Sequence, residues 1–361
     1  MKRWSIALFR VFGIRLEVHA TFVLLLIVAG YNGWLGGGAT GAAWQIAFVA
    51  LMFVVVVLHE LGHALAARRY GIRASRILLL PIGGMAQFDS LPRQPGRELV
   101  IALAGPAVNY ALIGLLILGF GLPTSWDNVV VPPTRLSEVP HTLLLINLAM
   151  GLFNLLPAFP MDGGRVLRAL LALRLDFPAA TRWAARSGQV LALLCCAAAL
   201  YWQIWMLAAL FLFICYGAEM EYRLVRNEDF YAGFSIGDVT RRDFLAFPPE
   251  ATIAAALETL RHTVPQDLLL ISVTGPVGIV TRARIAAALR AGREQDALAQ
   301  HTEHDFLVLQ AEWPLAVAVA EFAHRRQQVF PVYSFGRLIG VCDARYIAES
   351  VRLLRQHPAA N

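Results

Sequence analysis

The sequence predicts an α-helical membrane domain that crosses the bilayer about six times, followed by a soluble α/β module. Three observations carry that expectation. Of 361 residues, 58% are hydrophobic and only 16% are charged, against about 45–50% apolar and about 25% charged in soluble domains. The apolar residues are concentrated before about residue 220. Within that part the basic residues alternate between crowded and nearly empty loops. Together these exclude a disordered chain and argue against a wholly soluble enzyme.

The spans follow in order. Each needs roughly 20 mostly apolar residues. Val18–Ala29 with its flanks, Trp44–Ala67, Leu99–Leu122 and Thr142–Phe159 supply four. The stretch from Gln189 to Gly217 would be about 43 Å long as one helix, too long for an upright span. Tyr201-Trp202-Gln203 and Trp205 near its middle read as an interface belt, so it divides there into two short spans. Arginine and lysine crowd the segments before the first span (Lys2 to Arg15), after the second (Arg68 to Arg97) and after the fourth (Arg165 to Arg186). The alternate loops hold Arg135 alone. By the positive-inside rule this predicts a multi-pass protein of the cell membrane with both termini in the cytoplasm. It also accounts for much of the net charge of +6 without a nucleic-acid partner. No small-residue cleavage site follows the first span, so it reads as a span and not as a signal peptide.

Cys195, Cys196, Cys215 and Cys342 show no CxxC spacing, which argues against a disulfide framework or a cysteine zinc site. The expected division is a membrane-embedded domain at 1–225 and a cytoplasmic module at 226–361. In the module, Val277-Gly278-Ile279-Val280 and Ile339-Gly340-Val341-Cys342 are matching strand-like pieces. Each runs into a helical pattern, Arg284–Arg290 and Arg345–Leu354. Their spacing predicts an internal repeat, with copies at about 235–290 and 297–355. Pro331-Val332-Tyr333 followed by Gly336-Arg337-Leu338 reads as a hairpin in the second copy. The histidines at 262, 301, 304 and 324 lack ligand spacing and read as solvated surface.

The chemistry sits in the spans. His59-Glu60-Leu61-Gly62-His63 is HExxH, and on a helix its two imidazoles share a face and can grip one zinc ion. Glu60 then stands beside the open position as general base for water on the metal. Three ionisable side chains within one apolar turn are costly in a membrane unless they function. A third ligand is needed, and Asp162 is the candidate. It ends the segment Asn154-Leu155-Leu156-Pro157-Ala158-Phe159-Pro160-Met161-Asp162, followed by Gly163-Gly164. Read alone, Asp162 is a turn residue at a helix exit. Depth favours the ligand reading, because His59 and Asp162 both precede basic boundaries on the same side.

Taken with Val18-His19-Ala20-Thr21-Phe22, Pro81-Ile82-Gly83-Gly84-Met85-Ala86 and Ala104-Gly105-Pro106-Ala107-Val108-Asn109, these motifs resemble the site-2 protease family of intramembrane zinc metalloproteases. The resemblance covers about Phe12 to Asp162. It implies regulated intramembrane proteolysis of a single-span membrane protein such as a membrane-bound regulator. One zinc ion per chain would be held by His59, His63 and Asp162, with Glu60 as base. It further implies a role for Asn154 near the scissile carbonyl, as an oxyanion donor. In that family a piece like Ile77–Phe88 is a short β segment that re-enters the membrane beside the zinc. Its edge suits an unwound substrate strand, although a packing loop explains it equally well. Gly105-Pro106 and Asn109 read as close helix packing with one polar contact, and His19 as an interfacial residue.

The repeat resembles a tandem pair of cystathionine-β-synthase (CBS) domains, which implies dimerisation through that module. Such domains often carry an aspartate for ribose where this chain has Arg284 and Tyr346, which argues against adenosine nucleotides. A CBS-gated channel or transporter is the alternative of a different class, and zinc content separates the two.

Overall fold

The computed structural model describes residues 5–81, 83–88, 93–123, 133, 135–260, 267–272, 275–303, 306–322, 327, 329–343 and 345–356. Lys2, Ile82 and the histidines at 262, 304 and 324 lie outside the described residues. The chain divides into two compact units, Met1–Val225 and Arg226–Asn361.

The first unit opens with a hairpin, β1 (Ser5–Val11) and β2 (Ile14–His19). It turns at Phe12 and Gly13, both at positive φ. β2 runs parallel to β3 (Ala74–Leu80), which pairs antiparallel with β4 (Gly83–Phe88). The sheet order is β1-β2-β3-β4. The expected single β segment is therefore two strands of a four-stranded sheet. Its other two strands come from a stretch read in sequence only as basic flank. A bulge between Ala7 and Phe9 breaks the register of β1, and its residues are exposed on both faces. Neither leaves the period-2 pattern by which a strand is recognised.

Between β2 and β3 lies α1 (Ala20–Arg68). His19 caps it, with Nδ1 accepting the Thr21 N–H at 3.3 Å. A straight helix of 49 residues would be about 74 Å long, more than twice the hydrocarbon core. It breaks at Gly37 and Gly38, where φ is −158° and 59°. The two arms fold back so closely that a Cβ on Gly33 would stand 2.3 Å from the Gly41 carbonyl oxygen. The first two expected spans are these two arms. The sheet packs on α1 through Ile14, Leu16, Ile77 and Leu79 against Phe22, Phe53, Leu61 and Ala64.

α2 (Pro95–Phe120), α3 (Val139–Asn154), α4 (Asp162–Leu171), α5 (Phe177–Tyr201) and α6 (Trp205–Tyr231) as far as Val225 complete the unit. Among the described residues, five helical stretches are long and apolar enough to cross a membrane: α1, α2, Leu136–Asn154, α5 and α6. The break between α5 and α6 falls at Trp202-Gln203-Ile204, with Gln203 at φ 58°. On α2, Leu115, Leu118 and Phe120 are exposed while Glu98 and Asn109 are buried. That is the polarity expected of a helix solvated by lipid, whose polar groups must find partners inside the protein.

The second unit repeats one order of elements. β5 (Ala246–Phe247), α7 (Ile253–Leu260), β6 (Leu268–Ser272), β7 (Gly275–Val280) and α8 (Arg282–Arg290) are followed by β8 (Leu309–Gln310), α9 (Leu315–Phe322), β9 (Val329–Ser334), β10 (Arg337–Asp343) and α10 (Ile347–Gln356). Each copy forms a three-stranded sheet with one parallel and one antiparallel pair. The copies interlock: Arg241 bridges Val341, and Glu303 bridges Ile279. This explains the matched glycines, because a Cβ at Gly340 would lie 2.2 Å from the Arg241 carbonyl oxygen and one at Gly278 2.0 Å from Thr302. Ile236, Leu309, Leu315, Phe330, Val332 and Val351 fill one core, and Ile253, Leu268, Leu270, Val280 and Leu298 the other. Full burial of each such side chain contributes roughly 1.5–3 kcal/mol.

Candidate metal centre

The second arm of α1 places His59 and His63 one turn apart, both buried. Asp162 opens α4 after a seven-residue break, Leu155 to Met161, that Pro157 and Pro160 keep out of helix. The break is packed: Phe159 is buried against Ala184, Ala185 and Ala218, and Ala158 and Met161 against Ala192 and Ile214. Non-helical backbone at membrane depth survives only where protein covers it in this way. The expected fourth span therefore ends at Asn154, not Phe159.

The three side chains converge. His59 Nε2 and His63 Nε2 lie 3.2 and 3.0 Å from Asp162 Oδ2, and 3.1 Å from each other. The far side of each ring is committed. His59 Nδ1 donates to Asn109 Oδ1 at 2.6 Å, and His63 Nδ1 donates to the Ile101 carbonyl at 2.7 Å. Asn109 Nδ2 in turn donates to Asn147 Oδ1 at 3.0 Å, and Asn147 Nδ2 to the Leu143 carbonyl at 2.8 Å. With Nδ1 committed as donor in each ring, Nε2 is the nitrogen that either ring can turn to a cation.

Two imidazole nitrogens and a carboxylate oxygen at this separation are held together by a shared proton or by a cation lying among them. Tetrahedral zinc with bonds of about 2.0–2.1 Å spaces its ligand atoms about 3.3 Å apart, close to the triangle found. Two imidazoles and one carboxylate are also a catalytic and not a structural donor set. The residues present fit zinc.

One face of α2 is shaped to this triangle. Ile101 offers its carbonyl to one ring and Asn109 its side chain to the other. Between them Gly105 leaves room that a side chain would take, since its Cβ would stand 2.2 Å from His63 Nε2. Gly105 and Asn109 are in close packing with one polar contact, as expected, and what they pack against is the pair of imidazoles. Asn147 went unnoticed in the sequence, where the signal was a lone amide within Leu143-Leu144-Leu145-Ile146-Asn147.

Glu60 and Asn154 line the same cavity of about 950 Å³ as the triangle. Its wall on one side is β4, from Gly83 to Phe88, and on another the apolar face of α6 with Met206, Leu207, Leu210 and Phe213. β4 is an edge strand. The Ala86 N–H donates to Glu60 Oε2 at 3.1 Å. Asn154, half-buried, is the last residue of α3. In the second unit His301 pairs with Asp296 at 3.1 Å, and all four cysteines are free thiols.

Residues 47–126 and 130–198 match the profile of peptidase family M50, and residues 236–291 that of the CBS domain. Zinc metalloprotease MJ0392 of Methanocaldococcus jannaschii is 37% identical over 260 residues, 72% of this chain and 73% of its own. Putative zinc metalloprotease Rip3 of Mycobacterium tuberculosis is 32% identical over 253 residues, 65% of this chain and 63% of its own. The solved site-2 protease from Methanocaldococcus jannaschii shares 37% identity, covers 61% of this chain and 95% of that one, and superposes with a TM-score of 0.45.

Proposed function

The chain belongs to peptidase family M50, the site-2 proteases, and from that premise we propose that it is a multi-pass zinc endopeptidase of the cell membrane that cuts the transmembrane segment of a single-span regulatory protein. Membership in a metalloprotease family removes the channel or transporter alternative. The observation that carries the reading is the convergence of His59 Nε2, His63 Nε2 and Asp162 Oδ2, each 3.0–3.2 Å from the other two. His59, His63 and Asp162 are the ligands in this reading, with one zinc ion per chain. Zinc in such a site supplies Lewis acidity toward a peptide carbonyl and activates water at neutral pH.

The remaining steps belong to the chain's own side chains. Glu60 takes the proton of the attacking water and passes it to the leaving amine. The Asn154 amide donates to the scissile carbonyl as negative charge develops there. A helical substrate has its carbonyls engaged, so it must be cut in extended form. The outer edge of β4, where the Ala86 N–H meets Glu60, offers its remaining main-chain groups for one added strand. The face of α6 opposite receives apolar side chains. The distribution of basic residues supports cytoplasmic termini, and so release of the regulator toward the cytoplasm. The interlocked repeats support a tandem CBS module at 226–361, through which two copies of the chain pair.

Co-expression with candidate single-span regulators tests this. The parent chain should release a soluble fragment that Glu60→Gln does not. Equal cleavage by both would refute the mechanism.

A further inference from the structure

Arg168 was counted in the sequence among the basic residues of a cytoplasmic loop. Its side chain is 1% exposed. Nε and Nη2 reach Glu98 Oε1 at 2.8 and 2.6 Å, and Nη1 reaches Glu221 Oε1 at 2.9 Å. Its guanidinium lies over the rings of Phe159 and Phe177, 5.0 and 4.8 Å from their centroids. One arginine thus ties α4 to α2 and α6, and stacks on the break that leads into Asp162.

The place of Glu98 gives this node its meaning. Glu98, Ile101, Gly105 and Asn109 recur at helical spacing and are the buried face of α2, with Ala102 and Pro106. Ile101 and Asn109 orient the two imidazoles. Asp162 arrives on a different helix, of 10 residues. Its position relative to those imidazoles depends on how α4 is docked against α2. A buried ion pair is a poor device for stability, because apolar residues of similar shape do as well. It is a better device for register, since two nitrogens of one rigid guanidinium converging on a single oxygen, Glu98 Oε1, admit fewer positions than one nitrogen would.

We propose that Arg168 is a positioning residue: through Glu98 it sets α4 on the same face of α2 that orients His59 and His63, so that all three candidate ligands are referenced to one helix. The proposal rests on the zinc reading above. Glu221 is the lesser arm, since it meets a single nitrogen and its side chain is 20% exposed. It steadies α6, which lines the cavity but carries no candidate ligand.

Zinc affinity of the full-length chain in detergent tests this, measured by chelator competition beside thermal unfolding and the visible absorption of the cobalt(II)-loaded protein. Glu98→Gln/Arg168→Gln removes both charges of the buried pair and leaves only Glu221, 20% exposed, without its arginine. It should keep a folded protein and lower zinc affinity about 10–100-fold, the effect of losing outer-shell support. Glu221→Gln should change it less than about threefold. Zinc affinity equal to the parent in the double variant, or an equal loss in Glu221→Gln, would overturn the proposal. Should the double variant not fold, Arg168→Lys decides, because it keeps the charge and loses the fork: a shifted cobalt spectrum supports the proposal and an unchanged one overturns it. A parent chain that binds no zinc would instead refute the underlying reading, so the two failures are distinct.

Discussion

At the scale of single residues, the site separates what a motif shows from what makes it work. His59, Glu60 and His63 were legible because i, i+4 spacing on an apolar helix has a chemical meaning. Asp162 was legible because a carboxylate follows a proline-broken span. Asn109 was not, since a lone asparagine beside Gly105-Pro106 looks the same whether it packs or orients a ring. Its bond to His59 Nδ1, at 2.6 Å, commits that nitrogen as donor and leaves Nε2 to turn to a cation. Asn109→Ala should therefore weaken zinc binding about 10–100-fold without unfolding the chain. Asn109→Asp, which keeps an acceptor, should lose less. Equal zinc affinity in Asn109→Ala by chelator competition would separate the asparagine from the metal. Asp162→Ala should lower both zinc occupancy and turnover, whereas Glu60→Gln should keep zinc and lose about 10²–10⁴-fold in rate.

At the scale of elements, β4 is more than a wall. A Cβ at Gly84 would stand 2.7 Å from Glu60 Cγ and 2.9 Å from Val56 Cγ1. The strand therefore meets the Glu60 and Val56 side chains of α1 with no side chain of its own at Gly84. Gly84→Val should push the Glu60 carboxylate out of place, lowering kcat about 100-fold with zinc content unchanged. Loss of zinc in Gly84→Val would mean that the strand supports the ligands and not the base. In the second unit, β10 carries Cys342, which is fully buried. Burial, and then the charge of Asp343, push its thiol up to about 12. The sign follows from the charged form. Unfolded, the thiol ionises near pH 8.5, while in the fold it stays protonated. Its contribution to stability is complete below that pH and is lost as pH rises toward 12. A Cys342→Ala chain should therefore lose less stability than the parent between about pH 9 and 11 in denaturant titrations. A parallel decline in both chains would show that the thiol is not the titrating group.

At the scale of the molecule, apolar length, basic-loop asymmetry and the repeat of the tail were all legible, because each is a long-range average that single residues cannot erase. The hairpin of β1 and β2 was not legible, because a bulge cancels its alternation, and Arg168 was not, because a buried cation has no signature in sequence. The tail supplies the last expectation. Where similar domains hold ribose with an aspartate, Arg284 stands in the first copy. Its guanidinium is already engaged, 3.0 Å from Glu303 Oε1 and 3.4 Å from the carbonyl oxygens of His301 and Thr302. In the second copy Tyr346 stands there, with the guanidinium carbons of Arg241 and Arg345 6.0 and 5.7 Å from its ring centroid. Neither position offers a carboxylate to a ribose diol. The Arg284–Glu303 pair would have to break before phosphate could use the arginine. It joins α8 to the 302–303 segment that bridges β7, so breaking it would loosen the interlock of the copies. ATP, ADP and AMP should therefore bind the full-length chain weakly or not at all, and Arg284→Asp should strengthen binding if the missing carboxylate is the obstacle. Calorimetry on the detergent-solubilised chain measures both. Micromolar binding by the parent would mean that the ribose is held by other groups, and would make the tail a nucleotide sensor.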